Sequence, residues 1–423
     1  MRDAGSARTG RDSGQRRILV LSWLTYCLAY MLRVNINVVI PVLAQRFDYT
    51  YTQLGLVTSL YFVTYMTGQL INGYLGDRVS SKLLILIGLV GSALCNLGVA
   101  LAPSFAVLAI CWAVNGLVQS MLWAPLMKTL SVWFYGYQLG RVSFIMSFTM
   151  IIGYAVSWGF SSVLVRQVGW AAAFVVPAVL VLVHAVVMAV MFISKPRDTE
   201  DQAPDANRSG TQTPASESPP ILAFIRMIRL PGLLLIALTQ GIIREGISVW
   251  FPTIIASSGR FSSGSPWLIL VIVPLINLLG VIFVRRVNQV MKNDTLRTLL
   301  LIFSLVTASA LVLNLFQAEW FGMILVVMIL LLSLTYGLTP VLTSVIPFQY
   351  AHFKRVSLTA GLIDFSIYLG AAIAGVVSGW IADHYPWDRV MLLWLAAAVV
   401  GLCLAVWRYH VSKGDQRHEQ VIR

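Results

Sequence analysis

RVNINVVIP, residues 33–41, places an arginine and two asparagines inside an apolar run that extends from about 18 to 42. At residues 244–252 the chain reads REGISVWFP, with Arg, Ile, Val and Pro at the same offsets. A second match supports the first: Arg-Val-Ser at 141–143 returns at 355–357, and Tyr154 returns as Tyr368 at the same spacing. Two matches at nearly one offset mark an internal duplication, in which two halves of similar architecture face each other across a shared interface.

Composition fixes the solvent of those halves. With 58% hydrophobic and 11% charged residues and a mean hydropathy of +0.80, the chain is far too apolar for a water-soluble protein of its length. Runs of about 20 apolar residues suit helices that cross a hydrocarbon core of about 30 Å. Twelve such runs are expected, near 18–42, 52–74, 83–102, 104–127, 142–165, 170–193, 231–256, 266–284, 298–316, 319–347, 357–382 and 388–407. The expected fold is an all-α polytopic membrane protein, with twelve transmembrane helices in two pseudo-symmetric six-helix bundles.

The net charge of +13 does not point to nucleic acid, because its distribution follows topology. With both termini cytoplasmic, the outer loops hold only Arg46, Arg166, Arg260 and Arg389, and the other basic loop residues gather on the inner side. The reading is a multi-pass protein of a plasma membrane, the inner membrane of a bacterium. Its expected parts are an N-terminal tail (1–17), a first bundle (18–193), a cytoplasmic linker (194–222), a second bundle (223–410) and a C-terminal tail (411–423). The linker is rich in Pro, Ser, Asp and Thr and has too little apolar surface to order itself. ILAFIRMIRL, residues 221–230, fits either a short interfacial helix or a continuation of the seventh span.

Away from the span ends, the charged residues inside spans are Arg33, Arg244, Glu245 and Asp364. Each charge at a span centre costs about 2.5–3.5 kcal/mol on insertion scales, so such groups face a cavity or a partner. The duplication sets Arg33 and Arg244 on opposite walls of one central cavity, where two guanidinium forks suit a phosphate or carboxylate. The alternative is a static pair of either arginine with Glu245 or Asp364. Tyr26, Tyr30 and Asn37 share the Arg33 face by helical spacing, and Gln240 and Ser248 flank Arg244. Asn115, Gln119 and Trp123 form a polar stripe that either lines the cavity or bonds a neighbouring helix. The candidate substrate contacts are therefore Arg33, Arg244, Tyr30, Tyr26, Asn37, Gln119, Trp123 and Gln240, with Glu245 and Asp364 as proton carriers. A cytoplasmic gate is expected from Gly73, Asp77, Arg78, Lys128 and Arg141.

GYLGDRVSSK, residues 73–82, resembles the loop signature of the major facilitator superfamily, with serines at two of its positions. NGLVQSMLWAPLMK, AYMLRVN, REGISVWFPT and DFSIYLGA resemble the fourth, first, seventh and eleventh helices of the organophosphate:phosphate antiporter family. That resemblance covers almost the whole chain. It implies that Arg33 and Arg244 hold a substrate phosphate with Tyr30 nearby, and that the two halves rock around the site. Three positions depart from the glycerol-phosphate branch: Gln69 stands for a lysine, Met150 for a histidine and Gly241 for a tyrosine.

No nucleotide-binding glycine loop, His/Cys metal cluster or Ser/His/Asp set is present, so an enzyme and a resident cofactor are not expected. The four cysteines lie in apolar runs without ligand or disulfide spacing. The expected function is secondary transport of a small organic anion, such as a sugar phosphate, by alternating access, coupled to phosphate exchange or to protons. The alternative is a membrane sensor that binds a sugar phosphate without net transport. The expected partners are the anion, phosphate or protons, and lipid; the chain is expected to act as a monomer.

Overall fold

The computed structural model describes residues 2–75, 78–101, 104–134, 137–193, 220–259, 266–315, 321–350, 353 and 355–422. Helices α1 (Arg2–Met31), α2 (Asn35–Phe47), α3 (Tyr51–Leu75), α4 (Ser81–Ala100), α5 (Phe105–Gln119), α6 (Trp123–Trp133), α7 (Tyr137–Gln167) and α8 (Ala172–Met191) build the first half. The second half contains α9 (Ile221–Met227), α10 (Leu230–Ser257), α11 (Pro266–Val290), α12 (Thr295–Leu315), α13 (Phe321–Pro340), a π turn (Val341–Val345), α14 (Ile346–Gln349), α15 (Val356–His384) and α16 (Trp387–Ile422). Twelve spans among the described residues are long and apolar enough to cross a bilayer, six in each half. The linker lies almost entirely outside the described residues, as does Asp77.

Several spans differ from the simple apolar runs. The first is broken between α1 and α2, and the fourth between α5 and α6. The tenth passes through the π turn that follows Pro340, where the ring removes a backbone donor and forces the ladder to readjust. The short α9 is distinct from the seventh span, because Arg229 adopts a left-handed conformation between them. Phe224 of α9 is fully buried, against Tyr350 and Phe353. α7 starts at Tyr137, so Arg141 lies a turn inside the helix rather than at its opening.

The first break is held by amides. Leu32, Arg33 and Val34 turn out of the helix; the Ala29 carbonyl keeps the Leu32 N–H at 3.1 Å, while the Leu32 carbonyl has no backbone donor among the described residues. Gln119 donates to the Ala29 carbonyl at 3.2 Å. Asn96 and Asn115 donate to the Leu32 carbonyl at 3.1 and 2.8 Å. Asn35, just after the break, donates to Asn96 Oδ1 at 2.9 Å and to the Ala173 carbonyl at 3.0 Å. Ser92 bridges to Asn115 Oδ1 at 2.5 Å and receives Gln119 Nε2 at 2.8 Å. Tyr61 completes the set by donating to Gln119 Oε1 at 2.9 Å. The stripe on the fourth span is therefore structural at Asn115 and Gln119: both bond a neighbouring helix.

At one end the two halves are closed. Gly55 of α3 packs so tightly on Gly375 of α15 that any side chain at position 55 would meet the Gly375 carbonyl. Ser59 donates to the Ala372 carbonyl at 2.5 Å, and Asn37 to the Ser248 carbonyl at 3.2 Å. At the rim, the Asp383 carboxylate accepts the Tyr51 and Thr52 backbone N–H groups, both at 2.7 Å, and the Thr52 hydroxyl. Toward the opposite end, where the basic loop residues gather, the space between the halves is lined by exposed residues such as Arg285, Arg286 and Gln289.

Asn115→Leu removes one donor from the Leu32 carbonyl and strands Ser92; it should lower stability by about 1–3 kcal/mol, read as a lower thermal unfolding midpoint in detergent than Val114→Leu gives. Gly55→Val should wedge the closed end apart. Spin labels at Val168 and Tyr385 should then report a longer distance than in the parent, and an unchanged distribution would refute the wedge.

Candidate substrate cavity

Between the halves lies a cavity of about 780 Å³. Tyr26, Tyr30, Tyr65 and Trp123 line it from the first half, and Arg244, Tyr336, Thr339, Asp364 and Tyr368 from the second. Its mouth, at the basic end, carries Arg285, Arg286 and Gln289 of α11, with the Arg285 guanidinium over the Phe144 ring at 5.4 Å. The volume lies in the range of small-molecule sites.

Arg33 does not face Arg244 across open space. The turn at Leu32–Val34 lifts it off the helix into a box of four tyrosines. Its guanidinium carbon lies 4.6 Å from the Tyr65 ring centre and 5.4 Å from those of Tyr30, Tyr61 and Tyr368. Each such contact is worth about 0.5–2 kcal/mol, most when desolvated. Nη2 donates to the Tyr368 hydroxyl at 3.2 Å, and no carboxylate among the described residues pairs with it. Tyr30, Tyr65 and Tyr368 also line the main cavity, so they separate Arg33 from it by the thickness of a ring.

Arg244 is placed differently although it is the repeat mate of Arg33. α10 runs unbroken through it. Nη2 and Nε reach Glu245 Oε1 at 2.7 and 3.0 Å, and Nη1 donates to Thr339 Oγ1 at 2.8 Å. Glu245 Oε2 accepts the Tyr154 hydroxyl from α7 at 3.3 Å. The static pair of Arg244 with Glu245 is thus what this conformation contains. Arg244 still borders the cavity, whereas Glu245 sits behind it in a small chamber shared with Arg33, Asn37, Tyr61 and Tyr154.

The other expected contacts separate into two groups. Tyr26, Tyr30 and Trp123 line the cavity, with the Tyr26 ring 4.6 Å from Trp123. Asn37, Gln119 and Gln240 do not. Asn37 ties the halves together at Ser248, Gln119 braces the first span, and Gln240 donates to the Thr335 carbonyl at 2.8 Å and to Thr339 at 3.1 Å. Amides placed on a functional face by spacing alone were claimed by backbone carbonyls, which in a membrane interior compete strongly for donors. Asp364 lines the cavity and bonds Gln69 of α3. Arg78, Lys128 and Arg141 are exposed, and Gly73 lies near the end of α3. Among the described residues no group of His, Cys, Asp or Glu could hold a metal ion.

Tyr61, Tyr65, Tyr336 and Thr339 were not foreseen as site residues. Tyr61 and Tyr65 stand one helical turn apart, the same signal that singled out the pair Tyr26 and Tyr30 by their spacing from Arg33. Tyr154 and Tyr368 carried a signal too, since they are repeat mates: one meets the carboxylate of the Arg244 pair, the other the Arg33 fork.

The sequence model described as Major Facilitator Superfamily matches residues 22–351. A probable hexose phosphate transport protein of Chlamydia trachomatis is 19% identical over 425 residues, covering 95% of this chain and 92% of that protein. The glycerol-3-phosphate transporter of Bacillus subtilis is 22% identical over 417 residues, covering 94% and 93%. Among solved structures, a bacterial homologue of the human lysosomal transporter Spinster, inward-facing and unoccupied, superposes with a TM-score of 0.68. It is 13% identical and covers 93% of this chain and 97% of its own.

Proposed function

From the premise that the chain belongs to the Major Facilitator Superfamily, we propose that it transports an organophosphate, such as a sugar phosphate, with the phosphate held between Arg33 and Arg244. Membership makes it a multi-pass secondary transporter rather than an enzyme. The observation that carries the substrate class is Arg33: a buried cation whose fork rests on a tyrosine hydroxyl, behind the wall of a cavity large enough for a sugar phosphate. A neutral hydroxyl can be displaced by an anion without abandoning a charge, and a guanidinium binds phosphate through two parallel donors. The relatives named for hexose phosphate and glycerol 3-phosphate support the same class.

The mouth lies at the basic end, so this conformation is inward-facing if the positive loops and both termini are cytoplasmic. Alternating access then requires the outer contacts at Gly55, Ser59 and Asp383 to part while the inner ends approach. Substrate binding drives this by drawing Arg33 and Arg244, which belong to different halves, onto one phosphate group. Coupling runs either by exchange for inorganic phosphate or by protons through an intramembrane carboxylate.

The test is uptake of labelled glucose 6-phosphate, glycerol 3-phosphate and 3-phosphoglycerate into proteoliposomes, with internal phosphate and a pH gradient imposed separately. Arg33→Ala and Arg244→Ala should each reduce binding of the transported anion by at least about 100-fold, from about 3 kcal/mol for a lost charge-assisted pair, while both variants insert and fold. Unchanged affinity in either would remove the paired-arginine site. Tight binding without flux under either driving force would establish a sensor instead.

A further inference from the structure

The two arginines are repeat mates with unequal counter-ions, and that inequality has a functional reading. Arg33 meets a hydroxyl; Arg244 meets a carboxylate on its own neighbour. Resting on the anion reading above, we propose that Glu245 is the coupling carboxylate: ionised, it occupies Arg244 in the empty site, and on taking a proton it releases Arg244 to the substrate anion.

The geometry sets the terms of the competition. Both Nε and Nη2 of Arg244 point at Glu245 Oε1, and Nη1 is held by Thr339, so three of the five N–H groups are engaged and the charge of the fork is neutralised by the carboxylate. Arg244 and Glu245 are both about 4% exposed, so their attraction is little screened by water. An anion that approached Arg244 with Glu245 ionised would meet a neutral pair and a like charge. With Glu245 protonated, the site presents two positive forks, Arg33 and Arg244, to one phosphate. The displaced carboxylic acid keeps a partner, because Tyr154 reaches its other oxygen. Anion and proton are therefore taken up together, and the carboxylate is restored as Glu245 returns to Arg244 after release.

Other ionisable groups frame Glu245. Tyr154 comes from α7, Tyr336 from α13, and Tyr30 from α1; Arg33 and Tyr61 share its chamber. From α15, Tyr368 and Asp364 lie within electrostatic reach of Arg244. Asp364 is the rival carboxylate, but it bonds Gln69 and no arginine fork. It can titrate without changing what Arg244 offers to an anion.

The experiment measures binding of glucose 6-phosphate, glycerol 3-phosphate or 3-phosphoglycerate to the full-length protein from pH 6 to 8, in the parent, Glu245→Gln and Asp364→Asn. The titration of the phosphate itself is common to all three and cancels in the comparison. The parent should lose affinity by up to about tenfold per pH unit more than Glu245→Gln, as one linked proton requires. Glu245→Gln should bind at least about tenfold more tightly than the parent at pH 8 and lose accumulation driven by a pH gradient. Asp364→Asn should keep the slope of the parent. A second measurement needs no variant: in weak buffer with a pH-indicator dye, the parent should take up protons on binding in excess of those the free anion would supply. Equal slopes in parent and Glu245→Gln, a flattened slope in Asp364→Asn, or no proton uptake by the parent would each overturn the assignment of Glu245. Failure of the parent and Glu245→Gln to bind any of the three anions at any pH would remove the organophosphate reading itself.

Discussion

The backbone carbonyl of Leu32, left without a backbone donor by the break in the first span, is the constraint on which the rest of the site depends. A helix broken inside a bilayer leaves acceptors that lipid cannot satisfy, at several kcal/mol each if nothing replaces water. Here Asn96, Asn115 and Gln119 replace it, and Ser92, Asn35 and Tyr61 hold those amides in register. With the break secured, Arg33 leaves the helix face and enters the tyrosine box. Without the break it would sit as Arg244 does, on a regular helix. The asymmetry between the arginines thus originates in three amides on neighbouring spans.

That asymmetry also explains what could be read from the chain and what could not. Hydropathy and duplication made the twelve spans and the two halves legible, because both depend on patterns of about 20 residues or on offsets between copies. The paired arginines were legible too, since a charge in an apolar run needs an explanation whatever its geometry. Breaks were not, because a tight turn at Leu32–Val34 depends on donors that arrive from α4 and α5. Asn115 and Gln119 looked like possible cavity residues because spacing reports which face a side chain occupies, not which acceptor claims it. The pair of Arg244 with Glu245 was among the readings of the sequence, because two opposite charges in one apolar run have few other partners.

The cavity is built from aromatic rings with few committed polar groups. Tyr26, Tyr30, Tyr65, Tyr336 and Tyr368 present faces and hydroxyls that accept many partners. The three positions at which the sequence departs from the glycerol-phosphate branch it resembles carry Gln69, Met150 and Gly241. Gly241 has no room for a larger residue, because a side chain there would strike the Ile367 carbonyl of α15. The α10–α15 packing, rather than ligand chemistry alone, therefore excludes a tyrosine at that position. On the proposed function, selectivity rests on the charge borne by the forks and on the shape left by the rings.

The closure at Asp383 has a consequence for the conformational cycle. The first helical amides of α3 are shared between two sources: Thr50 and Gln53 form a reciprocal cap within the helix, while the amides of Tyr51 and Thr52 are served by a carboxylate of the other half. When the halves separate there, the internal cap stays and only those two amides pass to water. The helix does not unravel; it exchanges a fixed acceptor for a hydrated one. The Asp383 contact is therefore a soft part of the closure: parting there changes the acceptor of two amides and leaves the helix that carries them intact.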